Sequence, residues 1–125
     1  GHFLIPKLVD HFSRRAPRIE LGNLHVEREY NDVRMVCEAY LRLLEASAAP
    51  AIVNVCTGQT HSIQQVLDAL SDITGHHIDV AVNPAFVRAN EVHRLCGDPA
   101  RLQAATGPLP AYTLSDTLRS MLGAA

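Results

Sequence analysis

Lysine is almost absent from this 125-residue chain. Lys7 is the only one, and the other ten basic side chains are arginines. They are spread without a basic run, and 13 acidic residues leave a net charge of −2. Such a chain lacks the positive stripe that nucleic acid requires, so nucleic-acid binding is not expected. No apolar run approaches the roughly 20 residues that span a bilayer, and no leader pattern is visible, so no membrane partner is expected either. The three cysteines, Cys37, Cys56 and Cys96, are an odd number without CxxC spacing. That argues against a disulfide framework or a zinc site, and they are read as buried free thiols of a cytoplasmic protein. The seven histidines are scattered and no HExxH occurs. His76 and His77 are adjacent and would face opposite sides of a strand. No metal ligand is assigned.

The common signatures of catalysis are missing as well. No GxGxxG follows a strand, so the dinucleotide-binding turn is lacking and no cofactor-binding residue is assigned. No GxSxG occurs. Tyr30 is followed four residues later by Arg34 instead of a lysine, and no tyrosine stands four residues before Lys7. No catalytic residue is assigned to the chain.

What is present is an ordinary globular composition, 47% apolar and 19% charged, sized for one domain or a piece of one. Gly1-His2 is read as a remnant of an expression tag. Residues 3–13 predict a short helix, with Ile5, Leu8, Val9 and Phe12 at helical spacing. Ile19–Leu21 reads as a strand closed by Gly22-Asn23. Asp32 is placed to cap a helix with Val33, Val36, Cys37, Tyr40, Leu41 and Leu44 on one face, ending in the Ser/Ala/Pro stretch 47–50. On that helix Arg34 and Arg42 are expected in solvent, with Glu38, four residues from Arg34, and Glu45 on the same helix for structural pairing. Residues 51–56 predict a strand and Thr57-Gly58 a turn. Ser62 is a cap for a helix through Ile63, Val66, Leu67, Leu70 and Ile73, with Gly75 just past its end. Ile78–Val82 alternates as a half-buried strand. Asp98-Pro99 is a cap followed by proline at the first helical position, and Gly107 closes that helix. A last helix starts at Thr113 or Ser115. Strands alternating with helices give the α/β class.

The segment Arg88-Ala-Asn-Glu91-Val stands out chemically. A guanidinium presents a planar fork of donors that matches phosphate oxygens. A carboxylate accepts from the vicinal hydroxyls of a ribose. On spacing alone, an arginine and a glutamate three residues apart also form an ordinary solvated ion pair.

Larger patterns then add up. They begin with Leu21-Gly-Asn-Leu-His-Val-Glu-Arg28-Glu-Tyr-Asn-Asp32-Val and continue with Asn54-Val-Cys-Thr-Gly58 and Ser62-Ile63. Gly97-Asp98-Pro99, Thr106-Gly107-Pro-Leu-Pro110 and Leu114-Ser-Asp-Thr-Leu118 complete them. In this order they resemble the C-terminal portion of extended short-chain dehydrogenase/reductase enzymes that act on nucleotide sugars. Arg88-Ala-Asn-Glu91-Val is similar to the Arg-Pro-x-Glu-Val of GDP-mannose 4,6-dehydratases and GDP-4-keto-6-deoxymannose reductases. Glu29 stands where the family pattern has Asp, Ala89 where it has Pro, and Pro108 where it has Trp.

The resemblance implies an α/β chain forming the C-terminal part of a Rossmann-type fold. A small substrate-binding lobe would be joined by a last Rossmann strand, matching Ile52–Val55, and a helix, matching Val33–Leu44. Residues 1–125 would be the substrate-binding fragment, with the N-terminal cofactor-binding half absent. Arg28 and Arg88 would contact the pyrophosphate, Glu91 the ribose hydroxyls, and Phe3–Lys7 would line the sugar or base pocket. NAD or NADP would bind in the full-length protein and not in this chain. Partners would be a nucleotide sugar, the missing half and, through apolar faces left bare, further copies of the chain. A stand-alone nucleotide-binding module, or a structural interaction domain without catalysis, is the alternative.

Overall fold

The computed structural model describes residues 3–123, so Gly1-His2 and the last two residues lie outside the described region. Five α-helices and five strands follow one another: α1 (Leu4–Ser13), β1 (Arg18–Leu21), β2 (Glu27–Arg28), α2 (Val33–Glu45), β3 (His61–Ser62), α3 (Ile63–Thr74), β4 (Asp79–Val82), β5 (Arg94–Leu95), α4 (Ala100–Thr106) and α5 (Leu114–Met121). A single 3₁₀ turn, Pro84–Phe86, follows β4.

The main core forms where α1, α3 and α5 meet the β1/β4 pair. Leu8 and Phe12 of α1, Val66 and Leu70 of α3, Leu118 of α5 and Ile19 of β1 are closed to solvent. Each such side chain contributes roughly 1.5–3 kcal/mol by leaving water. Their helical spacing is what the sequence predicts for α1 and α3. Ser62 and Gln65 form a reciprocal capping box at the start of α3, and Gly75 takes the left-handed conformation at its end (φ 66°). Thr113 and Asp116 repeat the box at α5.

Two small sheets orient the surface. Strands β1 and β4 pair in parallel from Arg18↔Asp79 to Leu21↔Val82. Strand β2 lies between β3, antiparallel, and β5, parallel. These three two-residue strands are too short to show an alternation in sequence, and the reading above misses them.

Several expectations are corrected. Residues 51–56 form no ladder with any described strand. A strand is stabilised by the hydrogen bonds of a neighbour, and none lies alongside. Val53 and Val55 instead pack on a second, smaller core of Met35, Ala39 and Leu102. Helix α2 buries a stripe other than the apolar face that the resemblance expects to be left bare. Met35 and Ala39 face inward, while Val33, Tyr40, Leu41 and Leu44 are exposed, Leu44 to 85%. Arg34 is not simply solvated. It grips the buried Asp32 carboxylate through Nε and Nη2 at 2.9 and 2.8 Å and lies 4.1 Å over the Tyr112 ring. Glu38 pairs with Arg42 at 2.8 Å instead of with Arg34. Helix α4 begins at Ala100, and Asp98 caps it from just outside, accepting from the Ala100 amide at 2.9 Å. Of the cysteines only Cys56 is buried; Cys37 and Cys96 are exposed.

Candidate functional site

The parallel pair β1/β4 sends both strands out of the sheet at the same end. Ligands of open α/β sheets gather outside the carboxyl ends of parallel strands, and here a cleft of about 720 Å³ opens at that place. Its walls come from the start of α1, the turn after β1, the strand β2 and the loop after β4.

The loop after β4 is held at both ends. At its start the Asn83 amide donates to the Leu21 carbonyl at 2.7 Å, and the Asn83 side chain caps the 3₁₀ turn through the Ala85 amide at 2.9 Å. Gly22 lets this turn close on the end of β1, because a Cβ there would sit 2.6 Å from the Phe86 carbonyl oxygen. At its far end β5 pairs with β2, and the Gly97 amide donates to Glu29 Oε1 at 2.7 Å. Arg88 and Glu91 lie on this tethered span.

All four residues singled out in the sequence line the same cleft: Lys7, Arg28, Arg88 and Glu91. They come from α1, β2 and the loop after β4, so a sequence separation of up to 84 residues is closed by the fold. Arg28 is half-buried and donates through Nη1 to the Glu27 carbonyl at 2.8 Å and weakly to that of His93 at 3.5 Å. Those bonds fix the plane of the guanidinium and occupy only one of its three nitrogens. Among the described residues Arg88 makes no hydrogen bond or ion pair, and its side chain is exposed. Glu91 Oε2 is shut away from water without a hydrogen-bond partner. A carboxylate oxygen so placed is costly unless a donor arrives. The Lys7 ammonium donates to the Glu20 carbonyl at 2.9 Å and lies 5.5 Å from the centre of the Phe86 ring.

Three residues that the sequence reading did not assign to the site also matter. Phe86 lines the cleft with an exposed ring. Tyr30 lines it too, with its hydroxyl enclosed and unpartnered. Burial pushes the Tyr30 hydroxyl pKa up, although the Arg28 charge opposes the shift. Glu29, next to Arg28, accepts from the amides of Thr57 at 2.9 Å and Gly58 at 3.2 Å as well as from Gly97. Its burial would raise its pKa, but the bonds from Thr57, Gly97, Asn31 and Gly58 outweigh it and hold the carboxyl below its ordinary range. No spacing signal in the sequence distinguishes Glu29 from its acidic neighbour Glu27.

Among the described residues no three His, Cys, Asp or Glu side chains converge as a metal site, and no helix is long and apolar enough to cross a membrane. Strand β3 runs straight into α3 without a glycine turn, and β5 leads into α4 through the single glycine of Cys96-Gly97-Asp98-Pro99.

Comparison with known proteins gives the family and the fold. The family model described as GDP-mannose 4,6 dehydratase matches residues 3–121. The GDP-6-deoxy-D-mannose reductase of Pseudomonas aeruginosa is 39% identical over 108 residues, which are 86% of this chain and 36% of that protein. A solved structure of a candidate epimerase from Burkholderia cenocepacia superposes with a TM-score of 0.93 at 50% identity, over 98% of this chain and 40% of that one. The structure of RMD from Pseudomonas aeruginosa, complexed with NADPH, gives a TM-score of 0.87 at 35% identity, over 98% of this chain and 42% of that one. The chain thus spans about 40% of the length of the solved proteins it matches.

Proposed function

Because the chain belongs to the GDP-mannose 4,6 dehydratase family, we propose that its cleft binds the nucleoside diphosphate of a nucleotide sugar, a GDP-linked hexose. The observation that carries this is the convergence of Arg28 from β2 with Arg88 and Glu91 from the loop after β4 on one cleft. Arg28 and Arg88 bracket the pyrophosphate with planar donors, and the Glu91 carboxylate accepts from ribose hydroxyls. Lys7 acts at the same cleft through its neighbours.

The reaction belongs to a longer protein. This chain is its substrate-binding portion, and the N-terminal half supplies the NAD or NADP site and the catalytic groups of a nucleotide-sugar reductase, dehydratase or epimerase. The chain's own residues hold and orient the substrate, which raises the effective concentration of the sugar at the reacting atoms. The bare stripe of α2 and the unpaired segment 51–56 are the surface on which that half packs. A cytoplasmic setting suits exposed free thiols at Cys37 and Cys96.

The test is the affinity for GDP-mannose by calorimetry. Arg88→Ala removes a charge-assisted contact of about 1.5–3 kcal/mol and weakens binding at least tenfold. An unchanged affinity refutes the assignment.

A further inference from the structure

We propose that Phe86 is the platform on which the nucleobase stacks, and that Lys7 is the positioning residue that supports it. This rests on the reading of the cleft as a nucleoside-diphosphate site, and it adds the group that would hold the base.

Phe86 is a large apolar ring left 51% exposed in the wall of a cleft. Apolar surface of that size gains by being covered, and a planar base covers a ring well. The ring is also held in place. Its backbone belongs to the 3₁₀ turn capped by Asn83, its amide donates to the Asn83 carbonyl at 2.9 Å, and its own carbonyl rests against Gly22. A platform fixed before binding loses little freedom when a ligand arrives.

The position of Lys7 adds chemistry to this. Its ammonium sits 5.5 Å from the ring centre and is steadied by the Glu20 carbonyl. A cation over one face draws on the π electrons of the ring. The surface that remains is then matched to an electron-rich purine better than to a pyrimidine. Lys7 so placed acts on the base through Phe86 and leaves the phosphate charges to Arg28 and Arg88.

The experiment uses the chain itself with GDP, UDP and inorganic pyrophosphate as probes. By calorimetry, Phe86→Ala is expected to weaken GDP at least tenfold, about 1.4 kcal/mol, while pyrophosphate affinity stays within twofold. Lys7→Met is expected to weaken GDP more than UDP and to leave pyrophosphate unchanged. The chain contains no tryptophan, so Phe86→Trp introduces a single tryptophan whose emission is separable from that of the tyrosines. GDP should quench it in a saturable manner at the calorimetric Kd, and pyrophosphate should not. If GDP binds Phe86→Trp without quenching, or if Phe86→Ala weakens pyrophosphate as much as GDP, the stacking role is overturned while the cleft assignment stands. If the unsubstituted chain binds neither GDP nor pyrophosphate, the cleft assignment falls and this inference with it. Should Phe86→Ala fail to fold by circular dichroism, the tryptophan variant decides.

Discussion

Glu29 Oε1 accepts the Gly97 amide at 2.7 Å, and through that bond strand β2 holds the end of the loop that carries Arg88 and Glu91. Arg28 and Glu29 are neighbours, and their side chains leave an extended backbone in opposite directions. One lines the cleft, while the other ties down Thr57, Gly58 and Gly97.

Removing that carboxylate leaves three amides without their acceptor. Glu29→Ala is expected to lower stability by about 1–3 kcal/mol in urea unfolding. Glu29→Asp restores part of it, since the shorter side chain keeps the charge but not the full reach. Equal stability of all three proteins would show that solvent replaces the bonds without cost.

Acid should expose a second carboxylate. Asp32 is buried, and Arg34 holds its carboxyl well below the usual range, with Thr117 adding a bond at 2.7 Å. A depressed pKa means that the unfolded chain takes up the proton first as pH falls. The stability Asp32 contributes is therefore complete above the unfolded value, near pH 4, and is lost as pH drops from there through the folded value. Asp32→Asn should cost roughly 1.5–3 kcal/mol at pH 7. The difference from the unsubstituted chain should shrink below about pH 3, in the acid limb that follows from the unfolded pKa. A constant difference across that range would mean that Asp32 acts only as a helix cap.

Gly97 is tightly enclosed. A Cβ there would lie 2.7 Å from Cys56 Sγ, 2.8 Å from Cys56 Cβ and 3.3 Å from Glu29 Oε1. Gly97→Ala should destabilise by about 1–3 kcal/mol. Cys56→Ala added to it should not rescue, because the Cβ contact persists. Full rescue would locate the crowding at the sulfur alone.

The exposed stripe of α2 leads to an expectation in solution. Val33, Tyr40, Leu41 and Leu44 face water without a partner among the described residues. Apolar patches of this kind associate, so sedimentation velocity should show the chain gaining mass with concentration. Tyr40→Lys with Leu44→Glu should abolish that gain. A monomer at millimolar concentration without these changes would remove the expectation.

Legibility in the sequence followed the range of the interaction involved. Helices α1, α3 and α5 could be read because caps and apolar spacing are local, as at Ser62, Gln65 and Gly75. The pairing of β2 with β5 could not, since two residues per strand carry no period and the partners are 67 positions apart, as Arg28↔Leu95. Segment 51–56 reads as a strand because its composition is apolar, yet no strand pairs with it among the described residues, and Val53 and Val55 pack on the smaller core instead. For the site, residue chemistry and resemblance picked out Arg28, Arg88 and Glu91. The ring contact of Lys7 depends on how α1 meets the loop after β4, and nothing in the spacing of Lys7 and Phe86 announces it.

The parallel register of β1 and β4 has a consequence for how this cleft can vary. Two hydrogen-bonded strands stand about 4.8 Å apart, so the floor of the cleft has a width that loop sequence cannot alter. Changes between Phe86 and Glu91 then alter which groups face the ligand while the frame that presents them stays the same size. Recognition can drift in such a loop without a matching change in the scaffold, and binding preference and fold can diverge separately over evolutionary time.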